Sequence, residues 1–193
     1  MRIDRQSLNQ NRAAALRRHF APLIKGSAGR PAPCVPTCPL DRPRHCSRHC
    51  PNIPHALSSD PENYPIEKTI APLVFEINRL GVFDTCWSCE GHNGPDGNLW
   101  KTPKVWFSAV SQVHLGLLGR CLDSLRLEGT VNAIWQVTLI SVDVSDPEAL
   151  FCIEPRMDHS PAELAALQAD ARAIADHLPH LMAEKARNAN ACL

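Results

Sequence analysis

Ten of the seventeen prolines, Pro22, Pro31, Pro33, Pro36, Pro39, Pro43, Pro51, Pro54, Pro61 and Pro65, precede residue 66. Proline fixes φ and carries no backbone N–H, so each one removes a helix or ladder hydrogen bond. A regular fold is therefore expected only after residue 65. The early exception is residues 6–24, where Leu8, Ala15, Leu16, Phe20 and Leu23 recur among basic and polar positions as a short amphipathic helix that Gly26, Gly29 and Pro31 end. Residues 31–65 carry few large apolar side chains, so core burial cannot offset the entropy of ordering them.

Four of the nine cysteines lie in that proline-rich stretch: Cys34, Cys38, Cys46 and Cys50, with three, seven and three residues between them. Thiolates bind zinc or iron when several converge, and short spacings bring them together at little loop-closure cost. The plain reading is a four-thiolate zinc site, with an iron–sulfur cluster as the alternative. A radical-initiating cluster needs a third cysteine three positions after Cys38, and Asp41 stands there. His45 and His49 are four apart and offer alternative ligands, but they sit among Arg42, Arg44 and Arg48 and read more simply as basic surface. A metal would supply the stability this segment lacks.

Zero net charge conceals polarity along the chain. Residues 1–50 carry ten Lys/Arg against two Asp/Glu, and residues 51–193 carry ten against eighteen. Such an arm is either a solvated tail, a footprint for nucleic acid or another anionic partner, or a clasp on the acidic remainder. No apolar run approaches the roughly 18 residues of a membrane span. Arg12, Arg17, Arg18 and Lys25 break every early apolar run, against a signal peptide. A soluble, cytoplasmic protein is the expectation, and in a reducing compartment clustered cysteines favour metal or catalysis over disulfides.

After residue 62 the pattern becomes regular. Ile66, Ile70, Leu73, Val74, Ile77 and Leu80 recur at helical spacing, with Pro72 marking a kink or a late start, and Gly81 stops the run. Residues 82–88 and 103–110 read as strands with a glycine-rich loop between them. His114, Leu117, Leu118, Cys121, Leu122 and Leu125 form one helical stripe behind a Ser111 cap. Residues 130–144 read as a long strand, with Val131, Ala133, Trp135, Val137 and Leu139 on the core face. A strand over 150–153 follows, and Ser160-Pro161-Ala162-Glu163 starts a helix running to about Lys185. The order α-β-β-α-β-β-α suits an α+β fold, a largely antiparallel sheet with helices on one face. The organisation expected is a basic arm over 1–30, a Cys/Pro-rich metal-binding module over 31–62 and an α+β domain over 63–193.

The second cysteine group is Thr85-Cys86-Trp87-Ser88-Cys89-Glu90-Gly91-His92, at a strand end entering the glycine-rich loop. A rigid strand presenting side chains to a loop suits function. Cys86, Cys89 and His92 are candidate metal ligands, either as a separate site or sharing the metal of the N-terminal module, and the two cysteines are also a candidate redox pair. Cys89, Glu90 and His92 are the candidate catalytic groups, with Glu90 and His92 as acid and base. The bland alternative is a tight turn with a buried Cys86. His114, on an apolar stripe, reads as a core histidine before a ligand. Trp87, Trp100 and Trp106 are candidates for stacking on bases, whereas Trp135 belongs to the core.

Ser88-Cys89-Glu90-Gly91-His92, followed by Lys104-Val105-Trp106-Phe107-Ser108 and a leucine-rich helix, resembles the signature region of the wybutosine-synthesis tRNA methyltransferase family. That family has a Ser-Cys-Ser-Gly-Arg element before a Trp-x-Phe strand. The resemblance covers residues 75–125. Glu90 replaces the family's second serine, His92 its arginine, and Trp106 and Phe107 are adjacent. The resemblance implies an α+β domain binding S-adenosylmethionine and tRNA, with Ser88, Cys89 and Gly91 in the pocket and the basic arm on RNA. Three functional classes follow: a zinc or iron–sulfur protein whose 86–92 loop is the functional site, an RNA-modifying enzyme, and an adaptor presenting residues 1–50 to nucleic acid or an acidic protein.

Overall fold

Pro72 sets where the first helix of the domain begins: it occupies the first turn, where its missing N–H costs nothing, and the helix runs Ala71–Arg79. This and every other element is seen in a computed structural model that describes residues 5–25, 57, 60, 62–142, 149–157 and 163–193. Cys34, Cys38, Cys46, Cys50, His45 and His49 lie outside the described residues, as does nearly all of the 31–62 module.

In chain order the elements are α1 (Arg5–Ile24), α2 (Ala71–Arg79), β1 (Phe83–Cys89), β2 (His92–Asn93), β3 (Leu99–Lys101), β4 (Lys104–Ala109), α3 (Gln112–Leu127), β5 (Trp135–Val142), β6 (Ala149–Pro155) and α4 (Leu164–Ala191). Four strands form an antiparallel sheet in the order β1-β4-β6-β5, and β2 and β3 form a separate small hairpin. This is the α+β architecture expected. Phe83, Val105, Phe107 and Ile153 form the buried face of the sheet and join one hydrophobic cluster with Leu73, Val74 and Ile77 of α2, Leu118, Leu122 and Leu125 of α3, and Ile174, Leu178 and Met182 of α4. Phe20 and Leu23 of α1 are buried in the same cluster, and α4 touches all three other helices. Among the described residues no helix is long and apolar enough to cross a membrane.

Three boundaries differ from the sequence expectation. The strand expected from residue 130 starts at Trp135. Asp170, 1% exposed, accepts hydrogen bonds from Asn132 N and Ala133 N at 2.9 and 2.8 Å, so those donors serve a carboxylate rather than a ladder. Thr130 N donates back to Leu125 O, closing α3. The final helix continues to Ala191 rather than stopping near Lys185, because Ala186 is buried and no Gly or Pro intervenes. It begins at Leu164 with Glu163 in the cap position and no side-chain cap bond; the expected cap, Ser160, lies outside the described residues. The expected loop after His92 contains the β2–β3 hairpin.

Ser111 caps α3 as expected, its Oγ accepting from Val113 N at 3.1 Å. His114 on the next turn is 1% exposed, and its Nε2 lies 2.9 Å from the carbonyl of His19 in α1. It is the core histidine that its stripe indicated, and it fastens α1 to α3. Burial holds its pKa below the ordinary 6.5, the His19 carbonyl pulls it back up, and the neighbouring His19 ring pushes it down. At pH 7.5 His114 is neutral folded or unfolded. As pH falls through 6.5 the unfolded chain takes a proton that the folded protein refuses, so stability is lost progressively on the acid side. Urea unfolding at pH 7.5 and 5.5 is expected to show a larger acid loss in wild type than in His114→Gln.

Candidate metal centre

A β-bulge decides where Cys89 points. Along β1 the register runs Thr85↔Phe107 and then Trp87↔Trp106, so Cys86 has no partner of its own. The extra residue flips every later side chain to the opposite face. Without it Cys89 would point among the helices with Phe83. With it, Trp87 and Cys89 share the other face with Trp106 and Lys104, while Ser88 sits opposite the buried Val105.

Gly91 turns the chain immediately after Cys89. Its φ of +84° is a conformation that side chains disfavour, and a Cβ there would lie 2.6 Å from Leu164 Cδ1, 2.9 Å from Lys101 O and 2.9 Å from Pro103 Cδ. Protein atoms therefore fill the space beside it. The turn aims Gly91 N at Cys89 Sγ, 3.4 Å away, and brings His92 into β2. Gln168 of α4 donates to Glu90 O at 3.0 Å and holds the turn from the other side.

The third participant comes from the segment before α2. Glu67 Oε2 accepts from Glu90 N at 2.7 Å, and Glu90 Oε2 in return accepts from Thr69 N at 2.9 Å. This reciprocal pair locks the 67–69 segment onto the 89–92 turn. The other oxygen of Glu67, Oε1, lies 3.0 Å from His92 Nε2. One ligand atom from each of Glu67, Cys89 and His92 falls within 4.8 Å of the others. Cys89 is 4% exposed, whereas the side chains of Glu67 and His92 are 33% and 40% exposed, so the group is closed behind the sulfur and open toward water.

Burial pushes the Cys89 thiol up. The Gly91 N–H pulls it back, the Glu67 carboxylate raises it further, and Lys101 and Lys104 lower it. Burial also raises Cys86, which occupies the bulge and is not in the Glu67–Cys89–His92 group. Cys121 and Cys152 are each pushed up to about 12 by burial and behave as core residues.

Of the residues singled out from sequence, the structure brings Cys89 and His92 together, adds Glu67, and turns the Glu90 carboxylate to Thr69 rather than to His92. Ser88 and Gly91 flank the group without offering it a ligand atom. His114 sits at the α1–α3 contact and is not a member. Trp135 is buried in the core as expected, with Nε1 3.3 Å from Asp170 Oδ2. Trp87 and Trp106 pack together with ring centroids 4.7 Å apart, and Trp100 is 68% exposed. Glu67 carried no local signal, being 22 positions before Cys89 and next to Lys68 on what reads as an ordinary helix approach.

The donor set can be tested against possible ions. Tetrahedral zinc with bonds of about 2.0–2.3 Å keeps its ligand atoms roughly 3.3–3.7 Å apart, a spacing that side-chain rotation reaches from the present arrangement. One thiolate, one imidazole and one carboxylate all suit zinc. An iron–sulfur cluster calls for more thiolates, and calcium or magnesium for oxygen throughout. No protein-family model, curated protein or solved structure matches the chain.

Proposed function

We propose that this is a zinc-binding protein whose α+β domain holds the ion through Glu67, Cys89 and His92, leaving one coordination position open to solvent. The convergence of three unlike ligand atoms within 4.8 Å, drawn from the pre-α2 segment, β1 and β2, carries the reading. Two fixed donors support it: Glu90 N orients the Glu67 carboxylate, and Gly91 N favours charge on the Cys89 sulfur. Three protein ligands with an open fourth position are the composition of catalytic rather than purely structural zinc. When bound, zinc supplies a Lewis acid at the open side. The spacing of Cys34, Cys38, Cys46 and Cys50 supports a second, four-thiolate site.

The competing reading is a metal-free Cys–His–Glu nucleophilic triad, in which His92 would serve as base to Cys89 and Glu67 would orient it. It calls for an activated thiolate, and burial pushes the Cys89 thiol the other way. Zinc competition with a chromophoric chelator separates the two. Glu67→Gln, Cys89→Ser and His92→Ala are each expected to weaken one zinc site by about 100-fold or more, the scale of losing one ligand bond to a site of roughly 10–16 kcal/mol. Cys86→Ser, which alters no ligand of the group, is expected to leave the affinity of that site unchanged. Zinc affinity indifferent to all three ligand substitutions would remove the centre.

A further inference from the structure

Two lysines and an exposed tryptophan border the Glu67–Cys89–His92 group. Register places Lys101 directly opposite His92 across the β2–β3 hairpin, and Lys104 directly opposite Cys89 across β1 and β4. Directly opposed residues on an antiparallel pair share a face with Cβ atoms about 4.5–5.5 Å apart. Both lysines therefore project from the faces that carry His92 and Cys89, and both charges act on the Cys89 thiol, lowering its pKa.

They are not equivalent. Lys104 Nζ lies 3.7 Å from Glu154, so its charge is largely committed. Lys101 has no carboxylate partner among the described residues; its Nζ lies 4.2 Å over the ring of Trp100. That contact holds an ammonium at the surface without neutralising it. The hairpin carrying it has a fixed tip: Gly94 N donates to Asn98 O at 2.7 Å, and Asp96 accepts from Asn98 N at 3.1 Å and from Asn98 Nδ2 at 2.7 Å. The strand carrying Lys101 is thus held opposite His92, with the ammonium resting on Trp100.

Charge decides what such a site takes. Glu67 and the Cys89 thiolate together neutralise a divalent ion, Glu154 is paired with Lys104, and the Glu90 carboxylate keeps its charge but is directed at Thr69 N. Lys101, opposite His92 in the hairpin, is then the neighbouring cation that no carboxylate pairs with among the described residues, and it lies next to an apolar indole surface.

We propose that the open side of this centre binds an anionic ligand, a carboxylate or phosphate group, with Lys101 as its charge partner and Trp100 holding that ammonium in place. The proposal rests on the zinc reading. The anion completes the coordination and pairs with Lys101, which makes Lys101 a specificity determinant rather than a metal ligand.

The test uses the full chain with Cys34, Cys38, Cys46 and Cys50 replaced by serine, so that only the Glu67–Cys89–His92 group takes metal. It is loaded with cobalt(II), whose visible absorption reports its coordination, and titrated with inorganic phosphate and separately with acetate at fixed ionic strength. At least one anion is expected to shift the spectrum saturably, and the tighter of the two identifies the acid class. Lys101→Gln is expected to raise that anion's dissociation constant about tenfold, the scale of one charge-assisted hydrogen bond, and Lys101→Arg to recover most of it. Cobalt should still bind at one equivalent in both variants, with the anion dependence of the spectrum, rather than the metal affinity, reporting the loss of Lys101. If cobalt binds and neither anion shifts the spectrum, or if Lys101→Gln binds the anion as wild type does, the anion proposal is overturned and the metal centre stands. If cobalt does not bind at the Glu67–Cys89–His92 group, both fall together.

Discussion

Asp170→Ala is expected to cost the domain about 2–4 kcal/mol, the scale of removing a buried charged acceptor from several neutral donors. Asp170 Oδ1 accepts from Asn132 N and Asn132 Nδ2 at 2.9 and 3.0 Å, and Oδ2 from Ala133 N and Trp135 Nε1 at 2.8 and 3.3 Å. Alanine leaves the buried Trp135 Nε1 and the half-buried Ala133 N without their acceptor, while the exposed Asn132 can turn to water. The carboxylate also sits where α4 meets the turn between α3 and β5, so its loss releases the approach to an edge strand as well as the buried Trp135. Against the about 5–15 kcal/mol of a typical domain, such a loss leaves little margin. Urea unfolding with near-ultraviolet dichroism of tryptophan measures it. Asp170→Asn keeps one acceptor oxygen but turns an amide donor toward other donors, and it should fall between alanine and wild type. An alanine variant as stable as wild type would mean that these four bonds contribute little.

Gly91→Ala should be comparably damaging, for a different reason. Alanine at φ +84° costs about 1–2 kcal/mol in backbone strain. Overlap with Lys101 O and Pro103 Cδ, both 2.9 Å from the added carbon, contributes about 1–3 kcal/mol more. Neither neighbour can move freely, since one is backbone and the other a ring. The turn has to open, which separates Cys89 from His92. Zinc affinity at the centre is therefore expected to fall together with stability. A destabilised Gly91→Ala protein that still binds zinc at wild-type affinity would show that the turn does not position the ligands.

The helices and their core stripes were legible because their signals are local and repeated; on the edge strand β5 the expected core face holds only for Trp135 and Val137, and Leu139 is 58% exposed. The stripe Leu117, Leu118, Cys121, Leu122 and Leu125 is buried as its spacing requires, and Ser111 caps where it stands. The centre was half legible. Cys89 and His92 announced themselves by residue type and spacing. Glu67 did not, because its place depends on the backbone bond from Glu90 N, a contact between segments 23 positions apart. The bulge at Cys86 was equally hidden, since it exists only in the register against β4. The β2–β3 hairpin has strands of two and three residues, too short to show any period. The late start of β5 follows from Asp170, a residue that looks like ordinary helix surface until its buried partners are seen.

The most direct measurement of the central claim is zinc stoichiometry and X-ray absorption on the full chain with Cys34, Cys38, Cys46 and Cys50 all replaced by serine. One zinc per chain, with a first shell of one sulfur and the rest nitrogen or oxygen, is the expected result, and it should disappear on adding His92→Ala. A folded protein that retains no zinc, or holds it with more than one sulfur, would contradict a centre built from Glu67, Cys89 and His92.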